Sequence, residues 1–293
     1  MRKLFVSRQA IRATFASLLI LMCALIEFGH AQSLPKSLNH DLLYAVQNGD
    51  TAAIQALLDK GADINGRNSN GNAALVLAAL MNRLEVVKYL LNRGPNVNGI
   101  GQDGFTPLIA AAQDDRRLPM TKVLLDAGAN LNVQDNYGET ALERAANNGQ
   151  TETVRLLLER GAQIDIKNKW GGTALTRAIG AGHVDVVRLL IANGASVNAR
   201  YSNKATPLIV AAYALSSTIK PSVPYSASEK ATPRHKANLQ AAKRRYLDII
   251  KMLLDNGANV NAKDADGRTA LRIVQEQQID EAVRLLKKAV ART

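Results

Sequence analysis

Six residues, Gly99-Ile100-Gly101-Gln102-Asp103-Gly104, satisfy the Gly-x-Gly-x-x-Gly pattern that brings backbone amides close to a dinucleotide's pyrophosphate. That chemistry needs a buried strand before the turn and a phosphate-binding helix after it. Here the six residues span a turn whose glycines have another explanation, given below. Asp264-Ala265-Asp266-Gly267 looks like the opening of a calcium loop, but the bidentate acid that closes such a loop is absent. His30, His40, His183 and His235 have no second ligand at metal-binding spacing, and no nucleophile motif marks a Ser/His/Asp assembly. The chemistry-bearing residues therefore predict no enzyme, no cofactor and no metal.

The organisation that positions these residues is a repeat. Gly61-Ala62-Asp63-Ile64-Asn65 returns as Gly94-Pro95-Asn96-Val97-Asn98, Gly128-Ala129-Asn130-Leu131-Asn132, Gly161-Ala162-Gln163-Ile164-Asp165, Gly194-Ala195-Ser196-Val197-Asn198 and Gly257-Ala258-Asn259-Val260-Asn261. The glycines are 33, 34, 33, 33 and 63 residues apart, the last interval being one period plus a 30-residue insertion. Upstream of each phrase lies an apolar stripe at helical spacing, such as Val154/Leu157/Leu158 or Ile250/Leu253/Leu254. Downstream, Thr106-Pro107-Leu108, Thr140-Ala141-Leu142, Thr173-Ala174-Leu175, Thr206-Pro207-Leu208 and Thr269-Ala270-Leu271 carry a capping hydroxyl, in two cases with proline at the first helical position. Each unit is thus a turn, a short alanine-rich helix, a tight loop and a longer helix. A chain 47% hydrophobic but only 4% aromatic suits thin, closely packed helices.

The Gly-x-Thr-Pro/Ala-Leu and Leu-Leu-x-x-Gly-Ala-x-Val-Asn phrases resemble those of ankyrin repeats over nearly everything after residue 38. The resemblance implies an all-α solenoid of about seven helix-turn-helix units with hairpin-like turns: a cap at about 38–68, five internal units and a C-terminal cap from about 265. Departures at the two ends suit caps, which must present a polar outer face. The family's histidine after Thr-Pro-Leu is missing. Val76, Ile109, Glu143, Thr176, Ile209 and Arg272 stand in its place, so its hydrogen bonds across repeats are expected to be lost.

The resemblance further implies that a protein partner contacts the turn tips and the exposed side of each unit's first helix. Carried over by register, the expected contacts are Phe105, Gln113, Tyr137, Glu139, Asn147, Lys169, Trp170, Asn203, Tyr213 and Arg268. Phe105, Tyr137 and Trp170 fall on consecutive tips of a chain poor in rings. Trp and Tyr often dominate binding energy, although tip aromatics also serve to stiffen an array by packing on one another. His183 is expected to be structural, at the loop between two helices.

Residues 1–31 have the form of a signal peptide, and 32–293 form the repeat domain. Arg2, Lys3, Arg8 and Arg12 precede an apolar run from Phe15 to Ile26, and Gly29 and Ala31 suit a cleavage site. The run is short for a span of about 20 residues; an uncleaved anchor is the alternative. Cys23, the single cysteine, lies in this segment, so a cleaved chain has no disulfide. The absence of Asn-x-Ser/Thr sequons favours a bacterial periplasm, with secretion as an effector that binds a host protein as the alternative, and a monomer is expected. The whole chain carries +12, and removing four cations and Glu27 with the leader leaves +9.

Most of that charge sits between residues 220 and 245, in the insertion at about 214–243 in the sixth unit and just after it. Lys220, Lys230, Arg234, Lys236, Lys243, Arg244 and Arg245 face Glu229 alone between residues 220 and 245. Pro221, Pro224 and Pro233 predict a loop in its first part, and Lys236 to Arg245 extend the following helix backwards. The segment is either a solvated loop or a basic arm for an anionic surface. Nucleic acid is a poor partner for an exported chain with few rings for base stacking.

Overall fold

The computed structural model describes residues 37–219 and 233–292. The expected all-helical solenoid is present: fourteen α-helices among the described residues form seven antiparallel pairs, with no strand between them. The pairs are α1 (Leu38–Asn48) and α2 (Thr51–Asp59), α3 (Ala74–Leu80) and α4 (Leu84–Leu91), α5 (Pro107–Ala111) and α6 (Leu118–Asp126), and α7 (Ala141–Asn148) and α8 (Thr151–Glu159). They continue as α9 (Ala174–Ala181) and α10 (Val184–Ala192), α11 (Pro207–Ile219) and α12 (Pro233–Asp255), and α13 (Ala270–Glu276) and α14 (Asp280–Val290). Odd-numbered helices form an inner row and even-numbered ones an outer row.

One contiguous core runs the length of the stack. Leu75, Leu108, Leu142, Leu175 and Leu208 repeat one position of the inner helices, and Ala78, Ala111, Ala145, Ala178 and Ala211 lie beside them with no accessible surface. Alanine adds no bulk and favours the helix, so short inner helices pack closely. The Gly-Ala phrase ends the outer helices as the sequence predicts: Gly161 takes a φ of +87°, its amide bonds the Leu158 carbonyl at 3.0 Å, and the Ala162 amide bonds Leu157 at 3.0 Å.

The Asn or Asp that closes each of the first five phrases ties it to the next unit. Asn65 Oδ1 accepts the Asn96 amide at 2.8 Å, Asn98 that of Asn130 at 2.7 Å, and Asn132 that of Gln163 at 2.9 Å. Asn198 accepts the Asn259 amide at 2.8 Å across the insertion, so the extra residues leave the register of the stack intact. The missing family histidine is replaced mainly by packing, since Val76, Ile109 and Ile209 are buried. At Glu143 a bond across repeats survives: its Oε1 accepts from Asn168 Nδ2 at 3.2 Å.

One expectation for the insertion is corrected and the other is met. Its first residues are not a loop: α11 runs on through Ala214–Ile219, with Leu215 and Ser216 buried. Ser216, Ser217 and Thr218 donate their hydroxyls to the carbonyls of Ala212, Tyr213 and Ala214 at 2.8–2.9 Å, which lets a Ser-Ser-Thr run sit in a helix. The backward extension of α12 over Lys236–Arg245 is present, and the helix starts still earlier, at Pro233. Its Tyr246 is buried and donates to the Gly180 carbonyl at 3.2 Å, so the base of the helical arm is fixed to the preceding unit.

Candidate interaction surface

Where a tip opens on Asp or Asn, that side chain folds the turn. Asp135 Oδ1 accepts the amides of Tyr137 and Glu139 at 2.8 and 2.9 Å, Asn168 Oδ1 those of Trp170 and Gly172 at 3.0 Å each, and Asp264 Oδ1 those of Asp266 and Arg268 at 3.0 and 2.8 Å. Such Asx turns give a short loop a defined shape without a sheet. Neighbouring tips are joined by main-chain bonds. The amides of Asn136, Lys169, Ser202 and Ala265 donate to the carbonyls of Asp103, Tyr137, Trp170 and Asn203 at 2.8–3.1 Å. Five tips therefore form one ordered edge.

On that edge the rings of Tyr137 and Trp170 stack with centroids 6.2 Å apart and planes 14° from parallel. They are 43% and 37% exposed. The Arg144 guanidinium lies 4.9 Å from the centre of the Phe105 ring and 5.9 Å from that of Tyr137, and the Arg177 guanidinium lies 5.4 Å from that of Trp170. Both cations come from inner helices, α7 and α9, one repeat apart. Arg144 also pairs with Asp135 at 2.6 Å and Glu139 at 2.8 Å, and Arg177 pairs with Glu139.

Glu139 is therefore not the exposed contact that its tip position predicts. It is 5% exposed and holds two guanidinium groups in place beneath the rings. Phe105, Tyr137, Lys169 and Trp170 do come together around it, with Lys169 exposed. Tyr213 and Arg268 form a second cluster: the Tyr213 hydroxyl donates to Asp264 at 2.6 Å, and Arg268 lies 5.3 Å from the ring centre. Burial, then that hydrogen bond, pushes the Tyr213 phenol above its usual range. Asn203 is exposed, but its Oδ1 accepts the Ala205 amide at 3.1 Å.

Gln113 and Asn147 lie apart from the tips, toward the loops at the other ends of the inner helices. The Gln113 carbonyl accepts from Asn148 at 3.2 Å, and the Asn147 carbonyl faces His183 Nε2 at 3.1 Å. His183 packs against Gly149, where an added Cβ would sit 2.5 Å from the ring. Burial lowers its pKa, as suits a structural imidazole. Gly99–Gly104 is the turn between two units, and Gln102–Gly104 makes one short 3₁₀ turn ahead of the five-residue α5. Of the basic arm, Arg234, Lys236, Arg244 and Arg245 are exposed along α12, and Lys243 pairs with Glu281 at 3.2 Å. Lys220 and Lys230 lie outside the described residues.

The residues that sequence reasoning missed are Asp135, Arg144, Asn168 and Arg177. A signal existed for the arginines: they stand 33 residues apart in a register that holds Leu77, Ala110 and Val210 in other units.

A family model described as ankyrin repeats in three copies matches residues 21–100, 42–135, 94–168 and 161–220, and one of many copies matches 239–274. The chain is an ankyrin-repeat protein. The ankyrin matches stop at 220 and resume at 239, leaving a gap that lies within the insertion, while the first begins at 21, inside the segment with the form of a signal peptide. Among solved structures the chain is similar to the crystal structure of the ankyrin repeat domain of Bcl-3, described as a unique member of the IkappaB protein family. Identity is 25% and the TM-score 0.65, covering 84% of this chain and 97% of that one. Ankyrin-repeat domains are non-catalytic scaffolds, and among the described residues no group of three or more His, Cys, Asp or Glu is placed to hold a metal.

Proposed function

We propose that this ankyrin-repeat protein binds a protein partner through its tip edge and the adjoining inner helices, and that it does so after export, in a bacterial periplasm or beyond it. The observation that carries the binding reading is the Tyr137–Trp170 stack. Two large rings are held partly exposed by backbone bonds, by buried carboxylates and by two arginines. Rings fixed before contact lose little conformational freedom on binding, so more of their buried area appears as affinity. In an affinity capture from an envelope extract, the Tyr137→Ala/Trp170→Ala variant is expected to recover at least tenfold less partner than the unaltered chain. Equal recovery would remove the rings from the interface.

Export rests on the cationic start, the apolar run and the Gly29–Ala31 junction of residues 1–31. Among the described residues no helix is long and apolar enough to cross a membrane. The protein isolated from the envelope or medium is expected to begin at Gln32 by mass spectrometry; an intact first 31 residues would instead support an N-terminal anchor.

A second reading is favoured by α12, which carries Arg234, Lys236, Arg244 and Arg245 at its surface and no acidic residue from Pro233 to Leu247. This arm attaches the protein to an anionic lipid surface by charge, each cation near the surface contributing about 1 kcal/mol. Reversing all four to Glu is expected to weaken binding to vesicles containing anionic lipid by at least tenfold, and unchanged binding would assign the arm to solvent alone.

A further inference from the structure

The tip edge changes charge at the Tyr137–Trp170 stack. Beyond it, through the last three tips, Lys167, Lys169, Arg200, Lys204 and Lys263 are all exposed. The acids there are already engaged. Asp165 accepts the Ser196 amide at 3.2 Å, and Asp264 and Asp266 are both held by Arg268. Before the stack the cations thin out: Arg67, in the register of Lys167, turns its guanidinium to the carbonyls of Gly71 and Ile100, Ile100 and Gln134 hold that register in the next two units, and Asp103 is exposed. Lys167, Arg200 and Lys263 occupy one register, each immediately before the residue that opens its tip. The main-chain bonds between tips keep these three rows in line.

We propose that the edge from Trp170 to Arg268 receives an extended acidic segment of the protein partner, with an apolar side chain against the Tyr137–Trp170 pair at one end and carboxylates on Lys167, Arg200 and Lys263. The proposal rests on the reading of the tip edge as the interaction surface and names the chemistry that this surface takes. Stacked helical units stand 8–10 Å apart. An extended chain advances about 3.3 Å per residue, so an acid at every third residue meets one cation row per repeat. A lipid surface is a poorer fit, because the cations run in single file and polar Ser202 and Asn203 occupy the tip between them. A nucleic acid strand stacks its bases on open ring faces. Here the two rings face each other and Arg177 lies over Trp170.

Trp170 is the only tryptophan of the chain, so its emission reports on the site directly. The probe is a ten-residue peptide, Leu-Gly-Ser-Glu-Gly-Ser-Glu-Gly-Ser-Glu, compared with its Gln analogue, with anionic vesicles and with oligothymidylate. The acidic peptide is expected to change the emission saturably, with affinity at least tenfold above that of the Gln analogue and falling steeply with salt. The exposed triple variant Lys167→Glu/Arg200→Glu/Lys263→Glu should lose at least tenfold in affinity while its urea unfolding stays that of the unaltered chain. Equal binding of the Gln analogue, undiminished binding by the triple variant, or a response to vesicles or oligonucleotide but not to the peptide would each overturn the proposal. Partner capture separates the two levels. Recovery that survives the triple reversal but not Tyr137→Ala/Trp170→Ala would overturn the acidic segment and leave the surface standing; recovery that survives both would overturn the two together.

Discussion

Glu143→Gln is expected to remove a pH-dependent loss of stability on the order of 5 kcal/mol and to leave the protein more stable than the unaltered chain above pH 8. Glu143 lies at the third position of α7, is 1% exposed, and has one carboxyl oxygen, Oε2, buried without a hydrogen-bond partner. Burial drives its pKa from the ordinary 4.5 to about 8, and the Asp135 carboxylate adds to the rise. A hydrogen bond from the Thr140 backbone, the Arg144 charge and the Asn168 amide offset only part of it. The folded chain therefore keeps a proton that the unfolded chain releases near pH 4.5. Between pH 4.5 and about 8 the unfolded state binds fewer protons, so stability falls as pH rises, by about 1.4 kcal/mol per unit, and levels off above the folded pKa. Glutamine keeps an oxygen for Asn168 and cannot ionise. Urea unfolding at pH 4.5 and pH 8.5 checks this: the two proteins should be nearly equal at the lower pH and diverge at the higher. Parallel pH profiles would mean that the carboxyl is ionised in the folded state and solvated.

This group shows where sequence reading stops. The six glycine phrases were legible because one physical demand repeats in them: a left-handed residue must end the outer helix, and the closing Asn or Asp must reach the next unit's amide. Those demands are local in sequence and periodic in space, so the solenoid follows from spacing. The missing histidine was legible as well, but not its substitute. Whether Glu143 stands buried beside Asn168 depends on a residue 25 positions away and on how two units face each other.

The tips follow the same division. Phe105, Tyr137, Lys169 and Trp170 share one edge, as the register predicts, because register decides which residues occupy a turn. Register does not decide exposure within the turn. Arg144 and Arg177, which come from inner helices, cover Glu139. In the insertion, prolines and serines suggested a loop from Ala214, yet the hydroxyls of Ser216, Ser217 and Thr218 bond carbonyls four residues back and the helix continues. Composition alone does not distinguish a serine that breaks a helix from one that bonds along it.

Glu139→Gln is expected to destabilise the chain by about 3 kcal/mol and to alter Trp170 emission before any partner is added. The Glu139 side chain is 7% exposed and accepts from Arg144 Nε at 2.8 Å through one oxygen and from Arg177 through the other; those arginine side chains are 22% and 13% exposed. Removing one charge from a buried pair costs about 3–5 kcal/mol, because the partner charge stays in a poor solvent. Asp135 still compensates Arg144 at 2.6 Å, which holds the cost toward the lower end. Arg177 loses the charge of the carboxylate it pairs with, and it lies over the Trp170 ring. Displacing it changes the environment of the chain's only tryptophan. A partner-contact role for Glu139 makes the opposite forecast: unchanged urea unfolding and unchanged emission of the free protein, with partner recovery alone reduced. The two forecasts differ in the free protein, so no partner is needed to choose between them. If the first holds, the exposed rings owe their fixed position to a carboxylate that the partner never touches, and affinity should fall in Glu139→Gln because rings that must be ordered on contact give up part of the energy they contribute.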